Sequence, residues 1–200
     1  MLFRSDVSSV RRHANLDAVS VELRAQIELA IASGFDVTHL DAHMGATLSP
    51  EFCEIYIQLG VEYKLPVLIT RLLSLYGPNN HIVGVSDDQF ATFVEIAKSK
   101  NMPIFERVLE TDFARPSSMN LGDDAYEKMF DQDHGGLTFA ALHPNAPGEV
   151  EVIEPRQFHV RTREHEIFGS ARHLAWLNEK KIRPIGMREI RDEMRRVGQS

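Results

Sequence analysis

One cysteine, Cys53, among 200 residues excludes an internal disulfide, so folding does not depend on an oxidising compartment. Long apolar runs are missing as well. None approaches the roughly 18 residues that span a bilayer, and the N-terminus carries no signal-peptide pattern, which makes a cytoplasmic location the default expectation. Positive charge is in deficit: 22 Lys and Arg against 29 Asp and Glu give a formal net charge of -7, which argues against a general nucleic-acid binder. The local exception is the C-terminal run of Lys180, Lys181, Arg183, Arg188, Arg191, Arg195 and Arg196. It is interleaved with Glu189, Asp192 and Glu193 and reads as a solvated helix face. Low-complexity segments, sequence repeats and domain linkers are also lacking. With 43% hydrophobic and 26% charged residues, the chain reads as a single globular domain over 1–200 with a real core.

What is present is a concentration of polar chemistry in Thr38-His39-Leu40-Asp41-Ala42-His43. If Phe35 to His43 is a strand, alternation puts His39, Asp41 and His43 on one face and Leu40 and Ala42 on the other. Two imidazoles and a carboxylate on one stripe suit a divalent metal, the carboxylate either ligating or fixing a ring tautomer.

Residues 1–14 show no clear period and read as irregular. Val19, Leu23 and Ile27 then recur at helical spacing from Leu16, with Asn15 or Asp17 as cap and Gly34 as stop. Ser49-Pro50-Glu51 opens a helix running to Tyr63, with Cys53 among its apolar positions, and Pro66 to Thr70 is a short apolar strand ending at Arg71. The unit repeats: a loop at Tyr76 to Asn80, a helix capped by Asp87 or Asp88, and a strand from Pro103 to Val108. Leu109 to Gly122 reads as a long loop of the kind that covers sites. A short helix over Asp123 to Phe130 and a strand over Leu137 to Leu142 come next. That strand delivers His143 at its C-terminal edge, where sheets of this class place their sites. Asn145 to Pro155 is expected as loop, Arg161 to Leu177 as one helix, Ile182 to Ile185 as a last strand and Met187 to Arg196 as a closing helix. The alternation with short connections predicts an α/β fold with a parallel sheet covered by helices.

Gly34 followed by Thr38 to Gly45, the helix from Pro50 to Tyr63 with Leu65-Pro66 after it, and Leu142-His143-Pro144 together resemble the YdjC-like carbohydrate deacetylases. These include chitooligosaccharide deacetylases and hopanoid-associated relatives. The resemblance covers roughly 17 to 192, including the helix with Arg163 and Glu164. It implies a distorted (β/α) barrel similar to polysaccharide deacetylases, hydrolysing the N-acetyl group of an amino sugar or oligosaccharide with one divalent metal, Mg²⁺ or Zn²⁺. Carried onto this chain, it implies His43 as metal ligand, His143 as general acid, His39 and Asp41 as neighbours that orient a ring or contact substrate, and Arg71 facing the pocket.

The family pattern also begins with a strand ending in paired aspartates, which supply the base and a metal ligand, and adds a second histidine ligand later. Neither stands in this chain. Asp87-Asp88 and Asp123-Asp124 sit at expected helix starts, where capping explains them. The chain is therefore expected to represent the C-terminal two thirds of a family member, an incomplete barrel that self-associates through exposed edges and binds metal only with the missing ligands. A non-catalytic sugar-binding or structural remnant of the same fold is the alternative. A metal-dependent phosphoesterase is disfavoured by the lack of a dense His/Asp cluster.

Overall fold

The helix over Cys53–Tyr63 shows how this chain builds its core. Phe52, Cys53, Tyr56, Ile57, Leu59 and Gly60 fall on one side at helical spacing and are all buried. Burial pushes the Cys53 thiol up to about 12, with Glu54 adding to the effect. Lys64 ends the helix in the left-handed region at φ 52, turning the chain so that Leu65 to Thr70 runs back buried beside it. Gly60 permits that return, because a Cβ there would stand 2.6 Å from Val67 Cγ1 and 2.9 Å from the Leu65 carbonyl oxygen.

The computed structural model describes residues 6–113, 122–131 and 135–198. In chain order its elements are α1 (Val7–His13), α2 (Leu16–Ala32), a 3-10 segment (His43–Leu48), α3 (Cys53–Tyr63), a 3-10 turn (Leu73–Leu75), α4 (Asp87–Ser99), β1 (Arg107–Glu110), α5 (Asp123–Phe130), β2 (Thr138–Ala141), α6 (Val150–Ile153), α7 (Phe158–Phe168), α8 (Ala171–Glu179) and α9 (Met187–Val197). They fall into two units. One draws on Met1–Leu75, Asn80–Phe105 and Ile185–Ser200, the other on Tyr76–Asn79 and Glu106–Pro184.

In the first unit, Ile27 of α2 packs with Leu59 and Leu65, flanked by Leu23, Val37, Leu40, Ile55 and Tyr63. Phe90, Val94 and Ala97 give α4 its buried face. Two isolated parallel bridges, Leu40 with Val67 and Thr70 with Phe105, mark where longer strands were expected. In the second unit β1 and β2 pair in parallel, with Arg107 opposite Thr138 and Glu110 opposite Ala141. Tyr126 of α5 and Ile167 of α7 form a buried pair beside them. Arg163 of α7 reaches Asp123 of α5 at 2.8 Å, and Arg172 of α8 reaches Asp123 and Glu127.

Several expectations change. The segment before Ala14 is not irregular where described, because the Asp6 side chain accepts from the Ser9 amide and starts α1. Phe35 to His43, Pro66 to Thr70 and Ile182 to Ile185 are not strands; the first keeps one bridge, at Leu40, and the second two, at Val67 and Thr70. The third strand of the expected set, Pro103 to Val108, lies later, at Arg107–Glu110, so Leu109 and Glu110 belong to β1 rather than to the loop. Most of that loop, 114–121, lies outside the described residues. Ser86, not Asp87 or Asp88, caps α4, in a reciprocal capping box with Gln89. At α3 the Ser49 carbonyl, not its hydroxyl, takes the first amides, those of Phe52 and Cys53 at 3.0 Å. The expected helix from Arg161 to Leu177 is two helices, because Gly169 ends α7 and the Ser170 side chain caps α8. The expected loop after Asn145 contains α6.

No helix among the described residues is long and apolar enough to cross a membrane.

Candidate active site

The polar stripe lies in the first unit, in extended but unladdered chain. The Leu40 amide donates to the Pro66 carbonyl at 3.0 Å, and the Tyr56 hydroxyl donates to the Leu40 carbonyl at 2.5 Å while accepting from the Leu68 amide at 3.0 Å. One buried phenol thus replaces much of a missing strand ladder. Past Leu40 the chain turns at Ala42 (φ -104, ψ 60), and His43 opens a 3-10 segment. The alternation that would align His39, Asp41 and His43 is therefore lost at its third member.

His39 is half-buried, with Nδ1 2.9 Å from Thr38 Oγ1. Burial holds its imidazole below the ordinary histidine value, against an opposing pull from Asp41. His43 is open, its side chain 81% exposed, with Nδ1 3.9 Å from Asp41 Oδ2. Gly45 needs its φ of +73, and a Cβ there would stand 2.8 Å from Ile82 Cγ1, so the turn after His43 is fixed even though the histidine is open. Arg71, exposed, follows the buried Pro66 to Thr70 run and gives its amide to the Phe105 carbonyl at 3.1 Å.

His143 lies in the second unit and has different surroundings. Thr111 directly follows β1 and His143 stands two residues past β2, so the parallel register puts both at the same strand ends. Between them Glu164 of α7, fully buried, accepts from Thr111 Oγ1 at 2.6 Å and from the His143 backbone amide at 2.5 Å. Tyr126 stands 3.5 Å from the same threonine hydroxyl. Phe113 meets the His143 ring edge to face, centroids 4.8 Å apart, and the Arg161 guanidinium lies over Phe113 at 5.5 Å. Asn79 holds the segment after β1 with both ends of its amide, donating to the Thr111 carbonyl at 2.7 Å and accepting from the Phe113 amide at 3.0 Å. Gly77 allows that approach, since a Cβ there would stand 2.5 Å from Glu110 Cβ. The Nδ1 atom of His143 is buried without a hydrogen-bond partner among the described residues.

Spacing had singled out His143 but not Glu164, Thr111, Phe113, Asn79 or Arg161. Glu164 carries a readable signal: it shares the buried face of α7 with Val160 and Ile167 at i, i+4, i+7, and an acid on an apolar helix face is rarely left there unpaired. The others come from chain segments far apart in sequence.

A divalent metal does not fit the described residues. Among them no three His, Cys, Asp or Glu side chains converge on one point. His43 and Asp41 are fewer than the three or more protein ligands that zinc sites use, and carboxylate-poor for magnesium.

Known proteins similar to this chain include carbohydrate deacetylases. A carbohydrate deacetylase of Thermus thermophilus is 40% identical over 75 residues, which are 38% of this chain and 28% of that protein. One of Thermoanaerobacter pseudethanolicus is 32% identical over 59 residues, 30% of this chain and 24% of that protein. A crystal structure from Enterococcus faecalis V583, described as a cellobiose-phosphate cleavage protein, shares the α/β fold with a TM-score of 0.61 at 17% identity. That match covers 92% of this chain and 64% of the other. The matched stretches thus span less than two thirds of each relative. Residues 2–179 match the family described as YdjC-like protein, and the chain belongs to that family.

Proposed function

We propose that this chain serves carbohydrate deacetylation, the hydrolysis of an N-acetyl group from an amino sugar or its oligosaccharide. The observation that carries the proposal is His143, held by its backbone at the C-terminal ends of two parallel strands with its ring Nδ1 buried and unpartnered among the described residues. In the reaction water adds to the acetyl carbon, the amide C–N bond breaks, and the amine leaves with a proton. His143 is the group proposed to supply that proton. Arg71, His39 and Asp41 are proposed to contact substrate or orient neighbouring groups. The distorted barrel is part of the same proposal, supported by the parallel β1/β2 pair and the two parallel bridges. So are a cytoplasmic site of action and self-association. Binding of Mg²⁺ or Zn²⁺ requires ligands beyond the described residues, with His43 as the ligand proposed among them.

The exposure of His43 and the lack of a third ligand among the described residues favour a second reading, a non-catalytic sugar-binding domain of the same fold. Incubating the full chain with N-acetylated glucosamine oligosaccharides, with Mg²⁺, with Zn²⁺ and with chelator, separates the two. Deacetylation predicts release of acetate that falls about a hundredfold or more in His143→Ala. Sugar binding without acetate under every condition selects the second reading.

A further inference from the structure

We infer that Glu164 is the positioning residue for His143, a role that rests on the reading of His143 as the proton donor. A carboxylate with no exposed surface is costly unless its oxygens are matched by donors. Glu164 spends them on two: the Thr111 hydroxyl and the His143 backbone amide, one from each of the adjacent strand ends. These bonds do not touch the imidazole. They fix where the main chain leaves β2, and therefore where the ring starts. Phe113 then closes the ring from the side, its own amide held by Asn79. Nothing in the arrangement reaches a ligand through Glu164 itself, which separates its role from that of His143.

The carboxylate form matters because both partners donate. In Glu164→Gln the side chain keeps its shape and one acceptor oxygen, but its amide nitrogen must face one of the two donors. The threonine hydroxyl can rotate to accept from it, whereas the His143 amide cannot. Glu164→Gln is thus the conservative variant that retains most of the arrangement, and Glu164→Ala removes both acceptors.

The test uses the full chain and two readouts. In steady-state acetate release from N-acetylated glucosamine oligosaccharides, Glu164→Ala is expected to lower kcat about tenfold with KM unchanged, and Glu164→Gln, which keeps an acceptor for the His143 amide, to retain most of it. In amide hydrogen exchange by NMR at a temperature where all variants are folded, protection of the His143 amide is expected to fall at least tenfold in Glu164→Ala and to be largely kept in Glu164→Gln. Loss of kcat only in proportion to the unfolded fraction, or His143 exchange unchanged in folded Glu164→Ala, overturns the inference. If the wild-type chain releases no acetate, the deacetylase reading fails on its own. The inference then stands or falls on the exchange result, with a shift of the His143 ring resonances in folded Glu164→Ala supporting it and unmoved resonances overturning it.

Discussion

Two regions of this molecule carry histidines at the ends of strands or would-be strands, and they are built in opposite ways. Around His43 the chemistry is dense in sequence and loose in space: His39, Asp41 and His43 lie within five residues, yet His43 is open to solvent and 3.9 Å from its nearest carboxylate. Around His143 the chemistry is sparse in sequence and tight in space, drawing on Asn79, Thr111, Phe113, His143 and Glu164. Long-range hydrogen bonds to a buried carboxylate hold a side chain's starting point. Neighbours along the chain do not, unless a ladder enforces their alternation.

The largest effect is expected at Tyr56, whose hydroxyl substitutes for a ladder beneath the stripe. Tyr56→Phe leaves the Leu68 amide and Leu40 carbonyl without it, and is expected to cost about 1–3 kcal/mol. Urea unfolding with unchanged slope checks this, and a loss below about 0.5 kcal/mol means the stripe is held by other means.

A smaller effect is expected from pH. Burial, with Arg172 adding to it, lowers the imidazole of His173, which sits edge-on to Phe168 at 4.7 Å and stacked on Trp176; burial also lowers His39. Both folded values lie below the unfolded one, near 6.5. The unfolded state then binds more protons in between, so the stability is complete above about pH 6.5 and is lost as pH falls through the folded values. Melting temperature should drop on the order of a few degrees from pH 7.5 to 5.5, and His173→Gln should flatten that drop. An unchanged slope in the variant would remove His173 from the account.

The smallest effect is expected at His43 itself. With 81% of its side chain exposed, His43→Ala should change stability by less than about 0.5 kcal/mol. Calorimetric titration of the full chain with Zn²⁺ should show weak binding that the substitution weakens further. Tight binding unaffected by His43→Ala would place the ligands elsewhere.

The helices were largely readable from the sequence, because Asn15, the apolar spacing of α2, α3 and α4, and the Asp123 to Phe130 segment obey local rules. Ser86 with Gln89, and Gly169 with Ser170, were equally local signals for a cap and a break. The strands were less readable. Leu65 to Thr70 is buried throughout, so its apolar run reports burial without reporting pairing. At the site, His143 was readable as a histidine after an apolar strand, but its partners depend on register and on which helix covers the strand ends, which no local pattern encodes.

The contrast between the two histidines is tested most directly by histidine-selective ¹³C–¹H NMR of the full chain titrated with an N-acetylated glucosamine oligosaccharide, with His143→Gln and His43→Gln to assign the signals. The His143 ring resonance is expected to move in a saturable way with added sugar while that of His43 moves little. A His143 signal unmoved at saturating sugar, with His43 shifting instead, would contradict that contrast.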